Sequence, residues 1–297
     1  MKKETGTSTP LQHHNAPPER KPHWLKTGIP GGKKFVELKQ LLQSRQLHTI
    51  CQSGRCPNQA ECWEAGTATF MILGNVCTRG CAFCATQTGK PMPPDPEEPL
   101  NVAKAVQHLK LNHAVITSVD RDDLPDGGAT HWAQTIKQVK HLNPKTTIEV
   151  LIPDFLGNES LIHTVANAQP DVMAHNLETV ERLTPIVRNK ANYKTSLHVI
   201  HTIHKTGITT KSGIMVGLGE TTGEIIQTMD HLRNVHCDVI TIGQYLRPTK
   251  HNLPVAKYRT PEEFDALKKI AHEKGFKHVE SAPLVRSSYH AEKHVNP

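Results

Sequence analysis

Short apolar runs and helical apolar stripes alternate along most of the chain. The runs, rich in β-forming residues, fall at Phe70–Leu73, Ala114–Val119, Ile148–Ile152, Val172–Ala174, Ser212–Val216 and Val239–Ile242. Between and after them, apolar residues recur at helical spacing: Val102, Val106 and Leu109 at i, i+4, i+7, then Ile225, Met229 and Leu232 in the same way, and Phe264, Leu267 and Ala271 as a similar stripe. Each stripe fits a helix laid on one face of a sheet, and strand, helix, strand in repetition predicts a parallel sheet. Thr221 with Glu224 three residues later predicts a capping box that opens one of these helices.

About six such units are too few for a complete eightfold barrel. On pattern alone a doubly wound sheet stays open. A partial barrel is favoured because polar residues follow strand after strand: Cys77, then Arg121-Asp122-Asp123, Asp154, Asn176 with Glu178, Glu220 and Gln244. Residues just past the carboxyl ends of parallel strands share one mouth. The expected fold is therefore α/β, a partial (β/α)6 barrel over residues 70–281. Residues 21–69 form an N-terminal extension and 282–297 a C-terminal segment. Residues 1–20, polar and Pro-containing with no periodic apolar face, read as a disordered tail.

The amino-terminal lysines lead into polar sequence without the apolar core of a signal peptide, and no run approaches membrane-spanning length. The expectation is a cytoplasmic protein with no membrane partner. The formal charge of +7 suits an acidic partner, yet lysines such as Lys268, Lys269 and Lys274 read as one exposed helix face. Only 4% of residues are aromatic, so the basic stretches lack stacking side chains and nucleic acid is not an expected partner. The twenty histidines are scattered, and no spacing assigns metal ligation to any of them.

Six of the seven cysteines lie between Cys51 and Cys84, which reads as ligation in a reducing compartment rather than a disulfide framework. C-T-R-G-C-A-F-C places Cys77, Cys81 and Cys84 at C-x3-C-x2-C, on the loop leaving the first strand. A structural zinc site closes with four protein ligands, so a set of three keeps a coordination position open. Three thiolates on a short loop can hold three corners of a four-iron cubane and leave the fourth iron to a small chelating ligand. The first triad, Cys51, Cys56 and Cys62, is spaced C-x4-C-x5-C and again lacks a fourth thiol. The plainer alternatives are a zinc or redox centre completed by a distant ligand for the second triad and a structural thiol cluster for the first. Cys237 enters an apolar run and reads as an inert core residue.

C-x3-C-x2-C after a first barrel strand resembles the signature of radical S-adenosylmethionine enzymes. The two triads together with S-A-P-L-V-R-S-S-Y-H-A resemble the lipoyl synthase family. The resemblance runs from Lys21 to Ala291 through K-P-H-W-L-K, R-C-P-N, T-A-T-F-M-I-L-G, R-D-D-L-P-D-G-G-A, I-E-V-L-I-P-D-F, E-T-V-E-R-L-T-P, K-S-G-I-M-V-G-L-G-E, T-I-G-Q-Y-L and R-S-S-Y-H. It implies a radical S-adenosylmethionine barrel with two [4Fe-4S] clusters. One, on Cys77, Cys81 and Cys84, chelates S-adenosyl-L-methionine through its open iron. The other, auxiliary cluster is held by Cys51, Cys56 and Cys62, with Ser288 as the fourth ligand. The implied activity is a sulfurtransferase that inserts two sulfur atoms at carbons 6 and 8 of an octanoyl-lysine on a carrier domain, with the auxiliary cluster as sulfur donor. Both carbons carry unactivated C–H bonds that no side chain can ionise, so such a reaction needs a cofactor-borne radical. The implied partners are octanoylated lipoyl carrier domains, an external electron donor and a cluster-repair protein.

Asn176, Glu178, Gly217, Gly219 and Glu220 are the candidate contacts to S-adenosylmethionine; the glycines of Gly213–Glu220 permit close backbone approach, though a tight strand-to-helix turn accounts for them equally. Arg121, Asp122 and Asp123 either position groups in the mouth or form a structural ion-pair network. The chain departs from the family pattern at Gln52, Gly54, Ala174 and Ser281-Ala282, none of them a proposed cluster ligand. Two readings outside the family stay open: a sulfur-inserting radical enzyme acting on a free small molecule, and a non-enzymatic iron–sulfur carrier.

Overall fold

The computed structural model describes residues 20–28, 31–64, 68–289 and 291–294. All of the expected disordered tail except Arg20 lies outside the described residues. The described strands are β1 (His48–Thr49), β2 (Thr69–Ile72), β3 (Val76–Cys77), β4 (Gln87–Thr88), β5 (His113–Ser118), β6 (Thr147–Leu151), β7 (Val172–Ala174), β8 (Thr209–Val216), β9 (Val239–Gln244) and β10 (His278–Ala282). Eight of them form one sheet in the order β1-β2-β5-β6-β7-β8-β9-β10, while β3 and β4 form a small ribbon of their own. Every pair in the large sheet is parallel except β1–β2. Among the described residues no pairing joins β10 back to β1 or β2.

The helices are α1 (Lys33–Ser44), α2 (Ile50–Ser53), α3 (Gln59–Glu64), α4 (Glu98–Leu109), α5 (Ala129–Leu142), α6 (Glu159–Ala166), α7 (Thr184–Val187), α8 (Tyr193–Lys205), α9 (Thr222–Asn234) and α10 (Pro261–Glu273). The apolar stripes are buried where the spacing placed them: Val102 and Val106 on α4, Ile225, Met229 and Leu232 on α9, and Phe264, Leu267 and Ala271 on α10. Thr221 and Glu224 form the capping box that opens α9, and Thr260 with Glu263 forms a second one at α10, where Pro261 fits the first helical turn.

Seven parallel strands are present rather than six, the seventh being His278–Ala282. Its alternating half-buried pattern, with His278 and Glu280 partly exposed, never makes an apolar run. β8 begins at Thr209, before the run at Ser212, because Lys211 is buried inside the sheet with its Nζ 2.6 Å from Glu149 Oε1.

The N-terminal extension shares the barrel's core. Leu38, Leu42, Leu47 and Trp63 belong to the same apolar cluster as Phe70, Ile116 and Val150, and the rings of Phe35 and Trp63 lie 4.8 Å apart. A second cluster joins β8, β9 and β10 to α9 and α10. This packing holds the first cysteine triad against the sheet that carries the second.

Candidate active site

A cavity of about 320 Å³ opens at the carboxyl ends of the parallel strands. Its wall includes Cys77, Cys81 and Cys84, Cys51 and Cys56, and Ser287 and Ser288. Cys62 does not line it; its side chain packs on the apolar core, on the side where Tyr289 and Glu61 meet, the tyrosine hydroxyl donating to Glu61 Oε1 at 3.5 Å. The fold thus brings Cys77, Cys81 and Cys84, Cys51 and Cys56, and the C-terminal serine segment to one place, although Cys51 and Ser288 lie near opposite ends of the sequence.

The loop of the second triad is pinned at several points. The Gly89 N–H donates to Cys77 O at 3.0 Å, and the Ala82 N–H donates to Val187 O at 2.9 Å. Asn252 Nδ2 donates to the carbonyls of Ala82 (3.2 Å) and Cys84 (2.8 Å). The strongest anchor is Arg79, inside the motif itself. Its buried guanidinium makes bidentate contacts to Asp154, at 2.8 Å each, and to Asp122, at 2.8 and 2.7 Å. A planar fork facing two carboxylates fixes position and orientation together. Asp122 is therefore part of a structural network, and so is Asp123, which accepts from Arg121 at 2.9 Å twice. Arg121 also donates to Leu73 O at 3.1 Å. Burial raises the Asp154 carboxyl, but the hydrogen bonds from Arg79 outweigh it and hold the group at about 2.

Asn176 and Glu178 also line the cavity. Glu178 adopts a left-handed backbone, φ 65°, uncommon for a side-chain-bearing residue and frequent at functional sites. Its Oε1 accepts from Asn176 Nδ2 at 3.1 Å, and burial raises its carboxyl above the usual range. Asn176 Oδ1 is buried with no hydrogen-bond partner, an acceptor that a bound donor would satisfy. Behind this pair runs a chain of polar contacts. Arg188 Nη1 donates to Asn176 O (3.0 Å) and to Ser196 Oγ (3.1 Å). His175 Nδ1 meets Ile152 O at 2.9 Å and Nε2 meets Ser196 Oγ at 3.0 Å. A carbonyl can only accept, so the Nδ1–H tautomer follows, with the serine hydroxyl donating to Nε2. Burial lowers the imidazole to about 4, so it is neutral near pH 7.

Gly217, Gly219 and Glu220 do not line the cavity. Glu220 accepts from the N–H groups of Gly217 (2.7 Å) and Leu218 (2.8 Å) and pairs with Arg259 at 3.3 Å, which shapes the turn after β8. Gly217 has φ 99°, and a Cβ there would collide with Gln244 and the Lys257 carbonyl. Gln244 is occupied likewise, donating to the Tyr245 and Lys257 carbonyls and accepting from the Arg259 N–H.

At the first triad, Thr49 Oγ1 caps α2 by accepting from the Gln52 N–H at 3.3 Å, and the Cys56 N–H donates to Cys51 O at 3.0 Å. Asn58 Nδ2 donates to Leu284 O at 2.7 Å, which ties this loop to the C-terminal segment. That segment lies directly on β9: a Cβ at Gly243 would overlap the Val285 carbonyl oxygen, so only glycine permits the approach. Burial pushes the Cys51 and Cys77 thiols up to about 11 and Cys81 up to about 12. Asp120, 3.6 Å from the Cys77 sulfur, adds to the shift at that thiol. Such thiols ionise only when a cation arrives to hold them, so ligation and deprotonation are one event. Among the described residues no three His, Cys, Asp or Glu side chains converge on a single metal ion.

The model of the radical S-adenosylmethionine superfamily matches residues 71–232, and that of the N-terminal domain of lipoyl synthase matches residues 2–56. Lipoyl synthase of Bacteroides fragilis is 60% identical over 276 residues, 93% of this chain and 96% of the relative. The chain belongs to the lipoyl synthase family. A more distant lipoyl synthase, from Treponema denticola, is 56% identical over 277 residues, 93% of this chain and 96% of that one. Among solved structures, methylornithine synthase shares the fold at TM-score 0.54 with 13% identity, over 71% of this chain and 69% of that chain. Streptococcus suis SuiB, solved with S-adenosylmethionine, does so at TM-score 0.55 and 12% identity, over 84% and 61%. The seven parallel strands are consistent with this barrel type, with extensions packed at both ends.

Sequence reading missed Arg79, Asp120, Arg188 and Arg286 as site residues. Arg79 had a local signal in its place between Cys77 and Cys81, and Arg286 one in its place beside Ser287-Ser288. The donor set fits the family's cofactors: thiols from both groups, Cys51, Cys77 and Cys81, that burial keeps protonated until a cation arrives, and an orphaned amide oxygen in the same cavity.

Proposed function

We infer that this enzyme is a sulfurtransferase that inserts two sulfur atoms, at carbons 6 and 8, into an octanoyl chain carried on a lysine of a lipoyl carrier protein. The observation that carries this reading is the sharing of one cavity by Cys77, Cys81 and Cys84, by Cys51 and Cys56 of the first triad, and by Ser288. When bound, two [4Fe-4S] clusters and S-adenosyl-L-methionine supply a hydrogen-abstracting radical and the sulfur. The chain's residues do the rest. Cys77, Cys81 and Cys84 hold the cluster that binds S-adenosylmethionine, on a loop that Arg79 makes rigid. Cys51, Cys56, Cys62 and Ser288 hold the auxiliary cluster. Asn176 and Glu178 orient the cofactor, Asn176 through the unpaired Oδ1. Glu220, Gly217 and Gly219 support that contact by shaping the adjoining turn. Met71, Leu151, Ile214 and Met215 give the cavity apolar walls that suit an octanoyl chain and exclude water from a reactive radical.

This reading calls for two further partners, an external electron donor for the cluster that Cys77, Cys81 and Cys84 would hold and a repair protein for the one that Cys51, Cys56, Cys62 and Ser288 would hold. A reducing cytoplasm is the compartment in which six such thiols stay available. Among the described residues no helix is long and apolar enough to cross a membrane. Residues 21–69, 70–281 and 282–297 act as extension, barrel and ligand-bearing segment.

The test is anaerobic iron and sulfide analysis with an assay for 5′-deoxyadenosine. Two four-iron clusters per chain are expected, and Cys81→Ala should abolish 5′-deoxyadenosine formation. Stoichiometric zinc without labile sulfide, or undiminished 5′-deoxyadenosine from folded Cys81→Ala protein, would overturn the assignment.

A further inference from the structure

The cavity reaches down into the barrel and stops above a charged layer. Along β6, Ile148, Val150 and Ile152 join the apolar cluster shared with the helices, so Glu149 and Leu151 point the other way, into the lumen. On β8 and β9 the same alternation sends Ile214, Val216, Ile240 and Ile242 to the helix side and leaves Lys211, Gly213 and Thr241 facing inward. The 2.6 Å contact between Lys211 Nζ and Glu149 Oε1 agrees with this, because it crosses β7 on the concave face of the sheet. Glu280, in register with Thr241 and 3.2 Å from His278 Nε2, extends the charged layer. Glu149 and Lys211 are buried and do not line the cavity. Leu151 and Gly213, the next inward residues towards the mouth, do line it, together with Thr241, which pairs with Gly213. Gly213 keeps this level passable: a Cβ there would stand 2.5 Å from Thr241 Oγ1 and 3.0 Å from Asn176 Oδ1. Leu151, half-buried at the cavity surface, is thus the apolar side chain that stands directly over the ion pair. A longer apolar tail could go deeper only by displacing Leu151 and pressing on buried charges, and hydrocarbon replaces none of the contacts it would disturb.

We propose that Leu151, on a floor completed by Gly213 and Thr241, is the specificity-determining residue for acyl-chain length: the methyl end of the chain rests on it, and this stop fixes which carbons lie at the level of the cysteine loops. The inference rests on the reading of the cavity as the site of an octanoyl chain carried on a lysine. One methylene more or less in an apolar pocket changes selectivity by about 10- to 200-fold, so a fixed floor is enough to separate chains that differ by two carbons.

The experiment uses the loaded full chain and a carrier domain acylated on its lysine with a hexanoyl, octanoyl or decanoyl group. Dissociation constants are measured without reductant, and kcat/KM for 5′-deoxyadenosine formation with it, for the unchanged enzyme, Leu151→Ala and Leu151→Phe. The unchanged enzyme is expected to favour octanoyl over decanoyl by at least about tenfold in both readouts. Leu151→Ala should shrink that ratio by about tenfold or more, and Leu151→Phe should shift binding towards hexanoyl. A general loosening of the fold would weaken all chains alike and leave the ratios unmoved. An octanoyl-to-decanoyl ratio equal in the unchanged enzyme and Leu151→Ala overturns the floor, and so does an unchanged enzyme that takes both chains equally; the assigned reaction stands in either case as long as the octanoyl carrier is converted to lipoyl product. If the unchanged enzyme forms no lipoyl product, the functional reading fails and the floor with it. Should Leu151→Ala not accumulate as folded protein, Leu151→Val decides: decanoyl must gain on octanoyl, by less, and an unmoved ratio overturns the proposal.

Discussion

Arg79 sits two residues after Cys77, yet its carboxylate partners Asp122 and Asp154 are 43 and 75 positions away. Spacing alone could show that Cys77, Cys81 and Cys84 act together, because three thiols on one loop are a local fact. It could not show what holds the loop, because the ion pairs exist only once strands β5 and β6 lie side by side. The same limit hid Arg188 and Arg286, whose place in one cavity with the thiols is a property of the fold. His175 shows a residue-scale consequence for acid stability. Burial lowers its imidazole to about 4 against an ordinary 6.5, so as pH falls below 6.5 the unfolded chain takes up a proton that the folded one refuses. Stability is therefore lost between pH 6.5 and about 4. The urea midpoint of the apoprotein should be lower at pH 5 than at pH 7, and His175→Asn, which keeps a donor for the Ile152 carbonyl, should flatten that slope. Equal slopes in the two proteins would show that His175 contributes nothing. Asp154 adds a second step, its stabilisation being full above its ordinary 3.8 and lost as pH falls through about 2.

At the scale of elements, the six apolar runs each mark a strand because a strand buried on both faces must be apolar along its length. The exceptions follow from chemistry inside the barrel. Lys211 and Glu149 satisfy one another at 2.6 Å, so a polar start to β8 is buried all the same, and β10 carries Glu280 and Ser281 in a strand at the sheet's edge. Arg79 is the joint between the cysteine loop and the strand ends, and its removal leaves three carboxylates, Asp120, Asp122 and Asp154, without their shared cation, the last of them 2% exposed. Arg79→Met should cost about 3–5 kcal/mol of unfolding free energy, the usual result of stranding a buried charge. It should also impair loading of the Cys77, Cys81 and Cys84 site. Denaturant unfolding checks the first expectation and iron content the second; a loss below about 1 kcal/mol, the scale of an exposed pair, would contradict the network's role.

The whole molecule brings three distant segments to one cavity: the extension with Cys51 and Cys56, the loop after the first parallel strand, and the strap after the last. The formal charge of +7 gives it a surface suited to an acidic carrier. If charge guides docking, the apparent KM for an octanoylated carrier should rise with salt, because exposed charges are screened within about 10 Å at 0.1 M ionic strength. A salt-independent KM would remove electrostatics from docking. The proposed function divides the labour inside that cavity, one triad serving radical formation and the other, completed by Ser288, serving sulfur delivery. The most direct test quantifies 5′-deoxyadenosine and lipoyl-lysine in the same anaerobic single-turnover samples of the unchanged enzyme and of Ser288→Ala, with Ser287→Ala as the neighbouring control. Ser288→Ala is expected to keep most of its 5′-deoxyadenosine while lipoyl product is lost, and Ser287→Ala to be milder. Normal lipoyl yield from Ser288→Ala would contradict that division of labour.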